Sequence, residues 1–309
     1  MTPHVSVVMA AKNYARFLPQ AVESVLAQTF ADWELLIVDD GSTDATPRAV
    51  RPYLIDPRVR YFRSDKLGQP RAKNLGITLS RGEFVAFLDA DDAWEPTKLA
   101  KQLAVFEANP TIGVVFCRRS LIDENGSPIP ARTAPQPPCG RVLDRMFVQN
   151  FVCFSSAVVR RTVFSHVGAF DPTWDLAIDY DLWLRVANHY EFDFVDEALV
   201  QYRTGHGNLS KKLLDRVDTA FSIMHRASER GLTQLVPAAS VAEAYASTCR
   251  TLGYVLRGAE PSVAATWYLR ALRWPHGRWL SAKGLVAALL GLVGGKRETG
   301  SAENASENR

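Results

Sequence analysis

The sequence has few cysteines and no concentration of positive charge in its first 249 residues. The four cysteines among 309 residues are far apart and form no C-x-x-C pair. We interpret them as reduced thiols in the core of a cytosolic protein rather than as zinc ligands. The net charge of +3 is small, and residues 1–249 contain no Lys/Arg-rich run of the kind that follows phosphates. We therefore expect no nucleic-acid partner.

Several targeting and catalytic signals are also missing. The first residues lack the basic segment and apolar core of a secretory signal, and VSVVMAA is too short to cross a bilayer. We therefore expect a cytoplasmic protein. The sequence contains no G-x-x-x-x-G-K-[ST], no G-x-G-x-x-G after the first predicted strand, no G-x-S-x-G and no H-E-x-x-H. These absences argue against P-loop, dinucleotide-binding, serine-hydrolase and zincin chemistry.

Short, unbroken apolar runs recur through the first part of the chain. They are VSVVMA (5–10), WELLIV (33–38), RVRYF (58–62), EFVAFL (83–88) and IGVVFC (112–117). Runs of this length suit strands that are buried on both faces of a parallel sheet. Between the first two, residues 17–26 carry apolar side chains at helical spacing, which predicts a crossover helix. The fold class is therefore α/β: an open, mostly parallel sheet flanked by helices, with ligands at the carboxyl ends of the strands.

The composition changes further along the chain. Residues 123–140 hold five prolines and two glycines, which predicts an irregular loop. Strand signals stop near residue 204. We expect a domain over residues 1–210, a basic, amphipathic helical region over 211–297 and a disordered tail over 298–309.

Two predicted strands end in clusters of aspartates. Asp39 and Asp40 stand in VDDGSTDATP, where they could accept hydrogen bonds from a nucleobase or simply form a turn before a helix. Asp89, Asp91 and Asp92 stand in FVAFLDADDAWEP. Carboxylates this close repel one another unless a cation lies between them, and Mg²⁺ and Mn²⁺ prefer one or two carboxylates with water and phosphate oxygens. The alternative is a solvated acidic turn.

Other polar residues follow in three segments. Arg71 and Lys73, in GQPRAKNLGITLSRG, could contact a base or a diphosphate, or could form a solvated basic face. Asp179 and Asp181 begin a predicted helix in DLAIDYDLWLRVANHY, either as partners of the helix dipole or as a catalytic base. His206, between two glycines, could bind a metal or phosphate, or could be an ordinary surface histidine.

Taken together, these motifs resemble those of the family 2 glycosyltransferases, which are inverting enzymes of the GT-A fold with a Rossmann-like nucleotide-binding half. The resemblance covers residues 4 to about 210 in the family's order. It is carried by VSVVMAAKNYARFLPQAVESVLAQTFADWELLIVDDGSTDAT, GQPRAKNLGI, RGEFVAFLDADDAWEP and AIDYDLWLRVA followed by YRTGHGNLS. It implies that residues 1–210 are the catalytic domain.

The resemblance also implies residue roles. The donor nucleotide would be held by Ala10, Asp39, Asp40, Arg71, Lys73, Asp89 and Asp91, and the metal by Asp91, Asp92 and His206. Asp179 would be the catalytic base, with Asp181 as a rival because Ile178 stands where the family often has Glu. The cofactor would be Mn²⁺ or Mg²⁺. The donor would be a nucleotide sugar, expected to be a UDP-sugar, and the acceptor a glycan, a lipid-linked molecule or a small molecule in surface polysaccharide or glycoconjugate biosynthesis.

Two alternatives stay open. A nucleotidyltransferase would also use an aspartate–metal site, but it would carry a glycine-rich basic loop after the first strand, and AAKNYARF has no glycine. A catalytically silent protein that binds nucleotide sugars or serves as a scaffold gains support from Ile178. Turnover separates both from a transferase.

The C-terminal region lies outside the resemblance. Residues 250–297 contain eight Lys/Arg residues and one acidic residue, Glu260. Residues 267–295 mix tryptophans, basic residues and an apolar run that is too short to cross a bilayer, as in an interfacial helix on anionic lipid. This predicts peripheral contact with the inner face of the cell membrane. The alternative is a helical hairpin that packs on the catalytic domain or on a second subunit of a homodimer.

Overall fold

The computed structural model describes residues 2–131, 135–205 and 213–301, with side chains as far as residue 291. The strands in these ranges are β1 (Val5–Ala11), β2 (Trp33–Asp40), β3 (Val59–Ser64), β4 (Phe84–Phe87), β5 (Ala93–Trp94), β6 (Ile112–Ile122), β7 (Pro128–Ile129), β8 (Val158–Arg160) and β9 (Glu191–Arg203). The helices are α1 (Leu18–Leu26), α2 (Thr46–Val50), α3 (Gln69–Leu79), α4 (Lys98–Ala108), α5 (Leu143–Val148), α6 (Thr162–Val167), α7 (Ile178–Ala187), α8 (Leu213–Glu229), α9 (Ala238–Leu256), α10 (Pro261–Leu272) and α11 (Arg278–Ser301).

The strands form one mixed sheet in the order β3-β2-β1-β4-β8-β6-β9-β5, with β7 paired to β6. The pairs β1–β2, β2–β3, β1–β4 and β6–β9 are parallel, whereas β8 runs antiparallel between β4 and β6. All eight residues of β2 are buried, as expected for a central strand covered on both faces. The predicted α/β class with a mostly parallel sheet is confirmed.

A glycine lets α3 approach the sheet closely. A Cβ atom on Gly76 would lie 2.4 Å from Cγ1 of Val8 in β1. Real carbon atoms do not approach this closely, so any larger residue would push the helix off the strand. The close approach holds the amino-terminal turns of α3 beside the carboxyl ends of β1 and β4.

The chain divides into two compact units. The first comprises Met1–Met146 with Asn150–Asn208 and contains the sheet; the second comprises Phe147–Gln149 with Leu209–Arg309 and is helical. In the helical unit, α9, α10 and α11 share a small core that is built from Leu256, Ala264, Ala265, Tyr268 and Ala288. The predicted helical C-terminal region is confirmed.

Some local expectations differ from the structure. The proline-rich segment contains the short strand β7, which pairs with the end of β6. Cys117 and Cys249 are buried free thiols as predicted, but Cys139 is exposed. Helix α11 continues to Ser301, past the predicted start of the tail, and residues 302–309 lie outside the described ranges. No helix in those ranges is long and apolar enough to cross a membrane.

Candidate active site

Strands β1 to β4 run parallel, so their carboxyl ends lie at one edge of the sheet. The register pairs Ala11 with Asp39 in β1–β2 and Asp40 with Ser64 in β2–β3. Ala10 lies in the same layer and is partly exposed. In an open α/β sheet this edge is where ligands bind. The structure therefore brings the first predicted nucleotide-binding residues together.

The carboxylates of Asp39 and Asp40 are buried and hydrogen-bonded within the protein. Asp39 accepts the backbone N–H of Ser42 at 2.8 Å and the hydroxyl of Tyr61 at 2.5 Å. Asp40 accepts the backbone N–H of Gly68 at 3.2 Å, and a further hydrogen bond from the backbone of Leu67. These aspartates therefore fix the loops after β2 and β3 at the edge.

The two predicted basic residues of α3 behave differently. Lys73 is buried; its Nζ lies 2.9 Å from Oδ1 of Asp89 and 3.5 Å above the ring of Phe154. Arg71 is exposed, and its Nη1 lies 3.5 Å from the carbonyl oxygen of Leu67. Lys73 is thus a charge partner of the acidic segment, whereas Arg71 faces solvent at the same end of the helix.

We call the segment after β4 that carries Asp89, Asp91 and Asp92 the acidic loop. Asp92 is 2% exposed and accepts hydrogen bonds on both carboxylate oxygens, from the Ser155 hydroxyl at 2.5 Å and from the backbone N–H of Arg203 at 2.9 Å. Asp91 is 8% exposed. The side chain of Asp89 is more open, at 30%. Asp92 therefore anchors the loop, Asp91 is buried beside it, and Asp89 is the most exposed of the three.

The crowding of the acidic loop raises its pKa values. Burial, followed by the charge of Asp89, raises the pKa of Asp91 from 3.8 to about 7. Burial and the charges of Asp91 and Asp89 raise the pKa of Asp92 well above its usual range. Lys73 and Arg203 oppose the effect on Asp91 without cancelling it. A further cation at Asp91 would therefore be stabilised.

Arg203 was missed by the sequence analysis, although it lies in the segment that includes His206. Its side chain is 2% exposed and donates to the carbonyl oxygens of Asp91 at 2.8 Å and Asp123 at 2.9 Å, and to Oε1 of Gln20 at 2.5 Å. A buried arginine satisfied by oxygens from three separate segments holds those segments in register. The only sequence signal was a lone arginine at the end of a strand.

Two tyrosines next to the acidic loop were also missed. The pKa of Tyr202 is raised to about 12 by burial and by the charge of Asp92, and its ring lies 4.6 Å from the guanidinium of Arg119. The pKa of Tyr14 is raised by burial and by the charges of Asp91 and its neighbours. Both hydroxyls therefore stay protonated beside the carboxylates.

Asp179 and Asp181 have different surroundings at the start of α7. Asp181 is 5% exposed and accepts hydrogen bonds from Nε of Arg185 at 3.0 Å and Nη2 at 2.8 Å. Arg185 also donates to the carbonyl oxygens of Val167 and Ala169 at 2.6 and 2.8 Å. Asp179 is partly exposed and accepts one hydrogen bond, from Nδ2 of Asn150 at 2.8 Å. Asp181 therefore anchors a loop, whereas Asp179 keeps an accessible carboxylate.

One short segment connects Asp179 to the acidic loop. Asn150 donates a hydrogen bond to Asp179. Five residues later, the hydroxyl of Ser155 donates a hydrogen bond to the carboxylate of Asp92 and accepts one from the backbone N–H of Asp89. Five residues span at most about 18 Å when fully extended. Asp179 and the acidic loop are therefore both tied to residues 150–155, whereas Asp181 is tied to Arg185.

The donor atoms for the predicted metal ion are the carboxylate oxygens of the acidic loop. In the ranges that the structure describes, no three His, Cys, Asp or Glu side chains form a group that could hold an ion. His206 lies outside those ranges. Asp89 and Asp91 offer oxygen atoms only, and Mg²⁺ and Mn²⁺ bind through one or two carboxylates when a substrate phosphate completes the shell. The residues fit an ion that binds together with its substrate.

The chain is similar in sequence to a known protein family. Residues 6–168 match the model of glycosyl transferase family 2. An uncharacterized glycosyltransferase of Nostoc sp. is 36% identical over 66% of this chain and 65% of its own length, so the chain spans about two thirds of that relative.

Solved structures with low sequence identity share the fold. Staphylococcus aureus TarS 1–349 in complex with UDP is 15% identical, with a TM-score of 0.56 over 94% of this chain and 91% of that one. The mannosyltransferase PcManGT from Pyrobaculum calidifontis, in complex with GDP-Man and Mn²⁺, is 20% identical, with a TM-score of 0.56 over 94% and 88%. At these identities the likeness concerns the fold alone.

We expect Asp91→Asn to stabilise the metal-free protein at pH 8 more than at pH 4. The pKa of Asp91 is about 7 in the folded protein, above its ordinary 3.8. Ionisation therefore costs stability progressively as the pH rises between these values, and the cost is complete above the folded pKa. Asparagine has no charge at any of these pH values, so the substitution removes this cost in stability. Melting temperatures of both proteins across this range, without metal, measure the difference.

The control is Asp32→Asn, which changes an exposed aspartate in the same unit. It should leave the melting temperature nearly constant relative to wild type at every pH. A melting temperature of Asp91→Asn that lies below wild type at pH 8 would contradict the electrostatic account.

Proposed function

The chain belongs to glycosyl transferase family 2, and on that premise we propose that it moves a sugar from a nucleoside diphosphate sugar to an acceptor hydroxyl, with inversion. The observation that carries the proposal is that one segment, residues 150–155, hydrogen-bonds to both Asp179 and the acidic loop. A transferase needs a site for the leaving diphosphate and a base for the acceptor. These two groups meet both needs.

For the donor we propose a UDP-sugar at the edge of β1 to β4. Ala10 and the loops fixed by Asp39 and Asp40 would form the wall against the base, and exposed Arg71 would reach the diphosphate. TarS in complex with UDP and PcManGT in complex with GDP-Man support a nucleoside diphosphate as the bound group. A nucleotidyltransferase gains no comparable support.

We assign Asp89 and Asp91 to a Mn²⁺ or Mg²⁺ ion that arrives with the donor. Asp92 would position them, because both of its oxygens already accept hydrogen bonds from Ser155 and Arg203. When bound, the ion neutralises negative charge that develops on the leaving diphosphate. Lys73, which is paired with Asp89, holds that carboxylate in place.

Asp179 is proposed as the base. It would take the proton of the acceptor hydroxyl as that oxygen attacks the anomeric carbon on the face opposite the diphosphate. Asn150 holds one carboxylate oxygen and leaves the other available. The acceptor would be a hydroxyl of a glycan, a lipid-linked molecule or a small molecule in surface polysaccharide or glycoconjugate assembly.

We expect UDP with Mn²⁺ to stabilise the wild-type protein more than UDP alone. A ligand at about 100 times its Kd adds about 2.7 kcal/mol to the free energy of unfolding. In Asp91→Asn the Mn²⁺-dependent part should disappear, and in Asp32→Asn it should remain. Thermal shift with UDP, GDP, CDP and ADP, each with and without Mn²⁺, provides the measurement. Equal shifts in wild type and Asp91→Asn would remove the metal assignment.

A second experiment compares Asp179→Asn with Asp181→Asn. Loss of a general base lowers kcat by about 10²–10⁴, with little change in nucleotide Kd because the base contacts the acceptor. Asp181→Asn should keep kcat within a few-fold but lose about 1.5–3 kcal/mol of stability through its bonds to Arg185. If no acceptor is found, the rate of donor hydrolysis is measured instead. Normal turnover in Asp179→Asn would show that the base lies elsewhere.

We further propose that the helical unit binds an anionic membrane surface through α11. Lys283 of this helix lies 5.5 Å from the ring of Trp279. A helix that exposes large apolar groups beside basic residues suits the interface of anionic lipid. The exposed side chains are Trp279 at 71%, Leu280 at 52%, Val286 at 55%, Leu289 at 46% and Leu290 at 66%.

We expect the protein to sediment with liposomes containing phosphatidylserine at low salt and to be released as the salt concentration rises. The double variant Trp279→Ser/Leu290→Ser should bind less. The control is Ile55→Ser, which removes an apolar side chain that is 90% exposed and lies outside the helical unit. A concentration-dependent homodimer without liposome binding would instead favour protein packing on this surface.

A further inference from the structure

The helical unit contains a cavity of about 540 Å³. Helical spacing explains how it forms: Phe221, His225 and Ser228 lie on one face of α8, and Val241, Tyr245 and Cys249 lie on one face of α9. Thr233, Arg270, Arg273 and Trp274 complete the lining. The volume lies within the range of about 300–1,000 Å³ that is usual for small-molecule sites. The family match ends at residue 168, so it does not explain this cavity.

Aromatic rings form one side of the cavity. Tyr245 and Trp274 are stacked with centroids 5.0 Å apart and planes 9° apart. Phe221 and His225 meet the ring of Tyr245 edge-on, each at 5.7 Å. Tyr245 is buried and its hydroxyl is hydrogen-bonded to Ser228, which fixes the stack. Trp274, which is partly exposed, is the ring of the stack that the planar or apolar part of a ligand can contact.

Two arginines at the end of α10 supply positive charge. Arg270 and Arg273 are three residues apart, so they lie on one side of the helix end. Arg270 stacks on Trp267 at 4.5 Å. Within the described ranges neither guanidinium has a hydrogen-bonded or ion-paired acceptor, and no carboxylate lines the cavity. The burial of Cys249 raises its pKa to about 11, and the charge of Arg270 opposes that shift, which is consistent with Arg270 lying close to this wall.

We propose that this cavity binds an organic phosphate, with Arg270 and Arg273 holding the phosphate and the Tyr245–Trp274 stack contacting the attached ring or chain. Guanidinium groups match the geometry of phosphate oxygens, and both arginines are exposed, so a ligand can reach them. The ligand is either a soluble sugar phosphate or the phosphate headgroup of a lipid. This binding does not depend on the proposed donor site.

Calorimetric titration of the full-length protein tests the proposal with four probes: glucose 6-phosphate, glucose, inorganic phosphate and dihexanoyl phosphatidic acid. We expect one of the two organic phosphates to bind at least about tenfold more tightly than inorganic phosphate, and glucose not to bind. Preference for glucose 6-phosphate identifies a soluble ligand, and preference for the phosphatidic acid identifies a lipid. Failure of both organic phosphates to bind would overturn the proposal.

Variants locate the site. Arg270→Gln/Arg273→Gln should lower the affinity at least about tenfold, since a charge-assisted hydrogen bond contributes roughly 1.5–3 kcal/mol. Arg257→Gln is the matched control: Arg257 is an exposed arginine of the same unit that also lies over a tyrosine ring, at 5.0 Å from Tyr254, but does not line the cavity. It should bind like wild type.

The same titrations in Asp91→Asn separate this cavity from the proposed donor site. Binding that persists in Asp91→Asn and is lost in Arg270→Gln/Arg273→Gln supports the proposal even if no donor nucleotide binds. Binding that is lost in Asp91→Asn and persists in the arginine double variant would overturn it.

Discussion

The candidate site depends on the buried guanidinium of Arg203. The acidic loop collects carboxylates whose charges repel, and repulsion of this kind would open the loop unless a cation lay behind it. Arg203 contacts the backbone of the loop from the interior and donates also to Asp123 and Gln20. Because it reaches from the end of β9 to the ends of β4 and β6 and to α1, a change there would alter several walls of the site together.

Aspartates in the candidate site divide into anchors and accessible groups. Asp92 and Asp181 are buried, and each makes two hydrogen bonds to neighbouring side chains or backbone. Asp89 and Asp179 lie three and two residues earlier in the chain and are partly exposed. A buried carboxylate that is fully hydrogen-bonded is a poor base or ligand, but it fixes the backbone that carries its neighbour. Adjacent acidic residues in this sequence are therefore not interchangeable.

Features that depend on local pattern could be predicted from the sequence. Four of the five apolar runs became buried strands, whereas RVRYF became the partly exposed edge strand β3. DYDLWLRVA became α7 with Asp179 and Asp181 in its first turn. Pairings between distant residues could not be predicted, because the sequence around each residue does not identify its partner. Lys73 was expected to contact the donor nucleotide or to form part of a solvated basic face, whereas the fold places it against Asp89. Arg203 had no partner that its neighbours in the sequence could identify. The antiparallel insertion of β8 between β4 and β6 is likewise set by tertiary packing.

The long sequence separation between Arg203 and the acidic loop has a consequence for synthesis on the ribosome. Its backbone bond to Asp92 joins positions 111 residues apart. At about 5–20 residues per second, roughly 6–22 s of translation separate the two residues. During that interval the emerging β1 to β4 segment carries the acidic loop without its internal cation and without the strand that completes the sheet. The amino-terminal strands should therefore stay bound to chaperones until β9 emerges from the ribosome.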